Sequence, residues 1–171
     1  LPGVKAIYPD VELEPNLFAG VPQIGADVLW NDPKIGGQAH AGEGIKIAVI
    51  DSGIRADHPF FNPEGFSYPP GFPKGETEFT SPKVIAARAY FRPDRPPLPG
   101  SETPQQGPLD DAHGTHVAGI AAGVANTQAE IAGANVTLSG VAPRAYLMNY
   151  KIFYANETPF SGGSSIEFIA A

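Results

Sequence analysis

The run Asp111-Ala112-His113-Gly114-Thr115-His116-Val117-Ala118-Gly119 decides how the rest of the chain is read. An imidazole, His113, stands just before small residues, and the apolar stretch Val117 to Val124 predicts a buried helix behind it. Gly114 and Gly119 let backbone and neighbouring segments approach closely, and Thr115 is too small to cover the ring. Histidine exchanges its proton near neutral pH, so His113 is placed to move protons. Upstream, Ile45-Lys46-Ile47-Ala48-Val49-Ile50 is a short β-branched run that ends in Asp51-Ser52-Gly53. It predicts a parallel strand with a carboxylate at its C-terminal end, the edge where open α/β sheets carry their sites. Because the run is apolar throughout rather than alternating, both of its faces are expected to be covered.

Further elements fall into place around these two. Val141 to Phe153 reads as a second buried strand, with Ala145 to Phe153 at its heart, and Lys151 is an isolated charge expected to snorkel out of it. Lys83 to Phe91 reads as a strand between two stretches, 60–75 and 93–108, whose prolines and glycines prevent regular structure. The whole segment 60–108 is expected as a surface decoration, tolerated because loop-closure entropy grows only logarithmically. Val21 to Trp30 suggests one short helix closed by Asn31-Asp32-Pro33. Asn126 to Ser139 is polar and reads as irregular, and a helix is expected from Ile166, capped by Ser164 or Ser165.

Composition narrows the classes. A chain of 171 residues and 17.9 kDa can bury one sizeable core. A net charge of −7 argues against nucleic-acid binding, which wants a basic face. There is no cysteine, which excludes disulfides and thiolate metal sites. No run of about 18 apolar residues offers a membrane span. Leu1-Pro2-Gly3 lacks the basic flank and apolar core of a signal peptide.

Asp51-Ser52-Gly53 followed by His113-Gly114-Thr115-His116-Val117-Ala118-Gly119 resembles the aspartate and histidine signatures of the subtilisin-like serine proteases. Gly140-Val141-Ala142-Pro143 and the strand after it are similar to what that family carries next. The likeness runs from about Val21 to the end of the chain, interrupted at about 60–108. It implies a three-layer α/β fold, a mainly parallel sheet flanked by helices, of which this chain carries the N-terminal part. It also implies a secreted or cell-surface endopeptidase acting on peptide or protein substrates. Asp51 and His113 then match two members of the catalytic triad. The third signature, Gly-Thr-Ser-x-Ala, does not occur in these residues, so the nucleophilic serine is expected on the remainder of the catalytic domain. Ser161-Gly162-Gly163 resembles the family's edge segment that pairs with an extended substrate, where glycine leaves room for the peptide.

The resemblance carries further expectations. Residues 1–14 are similar to the end of an inhibitory propeptide, which makes 15–171 part of the catalytic domain and puts a maturation cut between about Asp10 and Val21. No cofactor is required. A structural calcium is allowed for, with Asn126, Glu130 and Asn135 as oxygen donors, although Phe60 stands where relatives with a different calcium site carry an acid. His58, before Pro59, is expected to be structural, and His116, a turn beyond His113, to be packed inside. Asn135-Val136-Thr137 and Asn156-Glu157-Thr158 fit the glycosylation pattern.

On the residues alone, two other classes stay open. A metal-dependent hydrolase would use His113, His116 and Asp51, but no His-Glu-x-x-His pattern or third spaced ligand accompanies them. A binding module that kept the fold and lost the chemistry is the other.

Overall fold

The structure is a computed structural model that describes residues 17–131 and 133–157. Two short helices, α1 (Leu17–Gln23) and α2 (Ala26–Trp30), open it. The single helix expected over 21–30 is thus split, because Gly25 takes a left-handed conformation (φ 70°) that no helix can pass through. The end at Trp30 is as read, and the Trp30 indole donates to the Val141 carbonyl at 2.9 Å, tying the helix to the chain before the last strand.

Four strands form one sheet: β1 (Lys46–Asp51), β2 (Lys74–Gly75), β3 (Val84–Ala89) and β6 (Tyr146–Lys151), in the order β1-β6-β3-β2. Every pairing is parallel. Parallel pairing brings the C-terminal ends together, so Asp51 stands opposite Lys151, and Lys151 opposite Ala89. An α/β architecture with a parallel sheet is therefore what the chain adopts.

Helix α3 (His113–Ala122) lies on one face of the sheet. Its residues Gly114, Ala118, Gly119 and Ala122 are buried, and the stripe they form is narrow enough to seat the helix closely. Ala118 and Ala122 pack with Val49, Leu147, Val84, Ile54 and Phe61 in the core. Removing a side chain such as Leu147, fully buried there, costs about 2–5 kcal/mol by the usual cavity penalty. At Gly119 an added Cβ would come within 2.9 Å of the Phe60 ring, the close approach the sequence implied.

The sheet is covered differently from expectation. On β1, Val49 and Asp51 are buried while Lys46 and Ala48 are exposed, so among the described residues one face of this strand is covered. The strand is also the edge of the described sheet, which leaves its outer side without a neighbour.

Segment 60–108 is no surface decoration. It supplies β2 and β3, and Val84 to Ala87 are nearly inaccessible. The polar stretch after α3 is also regular, forming a hairpin of β4 (Thr127–Ile131) and β5 (Ala134–Leu138). One of its faces is polar, and there Gln128 and Thr137 pair side chain to side chain across the ladder, while Ala129, Ile131, Ala134, Val136 and Leu138 share the other. Glu130 and Asn135, expected as calcium donors, face each other as a register pair of that ladder.

Candidate active site

Asp51 closes β1 and its position is fixed twice. Its carbonyl accepts from Ile152 and Phe153 (2.8 and 3.2 Å), and its Oδ1 accepts from the Ser52 amide at 2.7 Å. The carboxylate is largely buried, its side chain 12% exposed.

His113 is the first residue of α3 and is presented by its neighbours. Its amide donates to Asp111 Oδ1 at 2.8 Å, which satisfies one of the free amides of the helix start. Ser52 then staples strand end to helix start: its hydroxyl donates to the Asp111 carbonyl (2.8 Å) and accepts from the Gly114 amide (3.0 Å). The staple closes because residue 114 is glycine. A Cβ there would lie 2.6 Å from the Gly53 carbonyl oxygen and 3.1 Å from Asp51 Cβ.

The result is a pair of side chains in contact. His113 Nδ1 sits 2.9 and 3.0 Å from the two Asp51 oxygens. With Nδ1–H donated to a carboxylate, the ring is held in the tautomer whose Nε2 carries a lone pair. The ring itself is 62% exposed, so that lone pair is accessible. The hydrogen bond to Asp51 raises the His113 pKa above the ordinary histidine value, the Asp51 charge adds to the effect, and the Asp111 charge contributes less. Such a group takes up a proton more readily than a free imidazole does and is stabilised by Asp51 once it has it.

Of the other residues singled out from sequence, His116 is corrected: it is exposed rather than packed inside. It lies on the helix face opposite the buried stripe of Gly114, Ala118 and Ala122, together with His113 and Ile120. His58 accepts from the Phe60 amide through Nδ1 (3.1 Å) and so caps the short turn 59–61, the structural role expected of it. Among the described residues no three His, Asp or Glu side chains gather as metal ligands would. Ser161, Gly162 and Gly163 lie outside the described residues, as do 1–14. A cavity of about 590 Å³, lined by Asp57, His58, Glu78 and Gln105 among others, touches neither Asp51 nor His113.

Two features escaped the sequence. Ser52 and Asp111 were not read as the staple they form. Lys151, expected to snorkel, is fully buried, with Nζ bonded to the carbonyls of Ser101, Thr103 and Gln105 and to Asp110.

Comparison with known proteins gives a consistent picture. The model of the Subtilase family matches residues 42–169. The chain is similar to the subtilisin-like protease SBT2.2 of Arabidopsis thaliana, at 37% identity over 90% of the chain and 19% of that protein. It is similar to the subtilisin-like protease SBT2.6 of the same plant, at 32% identity over 99% of the chain and 22% of the relative. It also resembles the minor extracellular protease Vpr of Bacillus subtilis (strain 168), at 29% identity over 87% of the chain and 16% of the relative. The chain spans about a fifth of the length of these relatives.

Proposed function

The chain belongs to the subtilase family, and on that premise we propose that Asp51 and His113 are the carboxylate and the base of a serine-peptidase triad. The observation that carries this reading is the His113 ring seated by Nδ1 against both Asp51 oxygens. The nucleophilic serine comes from polypeptide outside these 171 residues, since Gly-Thr-Ser-x-Ala does not occur in them. As the serine oxygen attacks the scissile carbonyl, His113 Nε2 takes its proton. Asp51 stays ionised and stabilises the imidazolium, which then gives the proton to the leaving amine. Water attacks the acyl-enzyme with the same base assisting, and the serine is regenerated.

The substrate is an extended peptide, with Ser161-Gly162-Gly163 as the edge that pairs with it. Residues 1–14 act as the end of an inhibitory propeptide, and the protein works outside the cell or at its surface. The name of the extracellular relative supports that location. Calcium, if it binds, has no step in this scheme. Residues 1–171 alone hydrolyse no peptide, because the Gly-Thr-Ser-x-Ala signature with its nucleophile is missing from them.

Replacement in the complete protein tests the assignment. Asp51→Asn is expected to lower turnover by about four orders of magnitude, the loss measured for the triad aspartate of a serine protease, and His113→Ala by at least as much. Turnover by the His113→Ala variant within about tenfold of the parent would overturn the assignment.

A further inference from the structure

Lys151 closes β6 directly opposite Asp51, and its side chain is wholly buried. A buried ammonium is costly unless hydrogen-bonded and paired. Here the compensation comes from one short segment. The carbonyls of Ser101, Thr103 and Gln105 lie 2.9, 3.1 and 3.1 Å from Nζ, and Asp110 Oδ2 completes the set at 2.5 Å. Asn149, two residues earlier on the same face of β6, donates to the Pro104 carbonyl at 2.8 Å. Proline-rich and without regular structure, segment 101–110 takes its conformation from these bonds to β6.

The bonds continue toward the site. Asp110 is also buried: its Oδ1 accepts from the Ala155 amide (3.0 Å), and its Oδ2 from the Gly107 amide (2.7 Å). The next residue, Asp111, accepts from the His113 amide and from the Ser52 hydroxyl. Ala112, the cap residue of α3, offers no side-chain bond, so Asp111 alone orders that first amide.

We propose that Lys151 is a positioning residue for His113. Through Asp110 and three carbonyls it fixes the segment from which α3 starts, and thereby sets the imidazole against Asp51. This deepens the reading of Asp51 and His113 as a catalytic pair, on which it rests, and extends it to a side chain bonded to neither. Losing the ammonium leaves the buried Asp110 carboxylate without its counter-charge, and losing the carboxylate does the same to Lys151. Either change frees the segment, lets Asp111 move, and displaces the ring.

The test uses the complete protein with Lys151→Met and, as a near-isosteric second variant, Asp110→Asn. The His113 Cε1 proton is titrated by NMR, and kcat and KM are measured on a peptide substrate. In both variants the His113 titration is expected to move down from that of the parent. A displacement of about an ångström is expected to lower kcat by roughly ten- to a hundredfold, with KM little changed. A lowered thermal midpoint with the His113 titration and kcat unchanged in the folded variants would overturn the proposal, leaving Lys151 a purely structural residue. If Lys151→Met does not fold, Asp110→Asn decides by the same readings. Asp51→Asn is the control that separates the two readings. If it leaves the His113 titration unmoved, the catalytic pair itself fails; if it alone moves the titration, only the positioning role falls.

Discussion

Lys83 offers a pH-dependent stability that can be worked from the structure. Its side chain is fully buried, with Nζ donating to the carbonyls of Pro143 (2.8 Å) and Ala145 (2.5 Å) and lying 4.5 Å from the centre of the Phe66 ring. No carboxylate pairs with it among the described residues, and the Arg144 guanidinium shares the same ring. Burial, and to a lesser extent Arg144, lowers its pKa from 10.5 to about 7. The sign follows from proton counting: between these two values the unfolded chain binds the proton and the folded protein does not. Stability therefore rises with pH across that window and is lowest below about pH 7, where the folded protein must hold a buried charge. Each pH unit inside the window is worth about 1.4 kcal/mol.

Lys83→Met removes the charge and keeps the length. Between pH 6 and 9.5, the parent should gain about 3 kcal/mol relative to this variant. Groups common to both proteins cancel in the difference, and the lost hydrogen bonds add an offset that does not depend on pH. Urea unfolding of both proteins at five or six pH values, with slopes compared to verify a common transition, measures it. A stability difference that stays constant from pH 6 to 9.5 would show that Lys83 keeps its ordinary pKa and would refute the reasoning.

Gly114→Ala places a methyl group 2.6 Å from the Gly53 carbonyl oxygen, so strand end and helix start must part. The expected cost is about 1–3 kcal/mol, read from the unfolding midpoint, together with a His113 titration shifted toward that of an unpaired histidine. His116→Ala, at an exposed position, should change stability by no more than about 0.5 kcal/mol and leave turnover intact. A large loss of either would mean that His116 has partners beyond the described residues. The raised His113 pKa makes its pairing with Asp51 favour the folded protein below the unfolded histidine pKa. That contribution disappears as pH rises through the folded value. Asp51→Asn should abolish this pH dependence, which paired unfolding titrations of parent and variant would detect.

The strands and the main helix were legible because their signals are local. The contiguous apolar runs ending at Asp51 and around Leu147 became β1 and β6, and Lys83 to Phe91 became β3. That Asp51 and His113 meet was also legible, since parallel strands bring such ends to one edge. What was hidden depends on partners far along the chain. Nothing around Lys151 says that it is buried, because its four acceptors lie 41 to 50 residues earlier in a segment with no pattern of its own. For the same reason segment 60–108 read as decoration: its glycines and prolines are conspicuous, but its strands β2 and β3 reach β1 only through β6, far along the chain. The exposure of His116 had a signal that was passed over. Gly114, Ala118 and Ala122 recur every four residues, and a stripe so small marks the packed face, with His116 on the other side. The β4–β5 hairpin also carried a signal, a sparse one: Ala129, Ile131, Ala134, Val136 and Leu138 alternate with the polar Gln128, Glu130, Asn135 and Thr137, and Gly133 at φ 79° lies in the turn between them.

The central claim is that His113, backed by Asp51, activates a serine carried elsewhere in the polypeptide. Its most direct test is the rate of labelling of the complete protein by a serine-directed phosphonate, followed by mapping of the modified residue. The expected result is a single labelled serine outside residues 1–171, at a rate that falls by about three orders of magnitude or more when His113 is replaced by Ala. Full peptidase activity surviving the phosphonate but lost to a chelator would contradict the claim and favour a metal-dependent hydrolase.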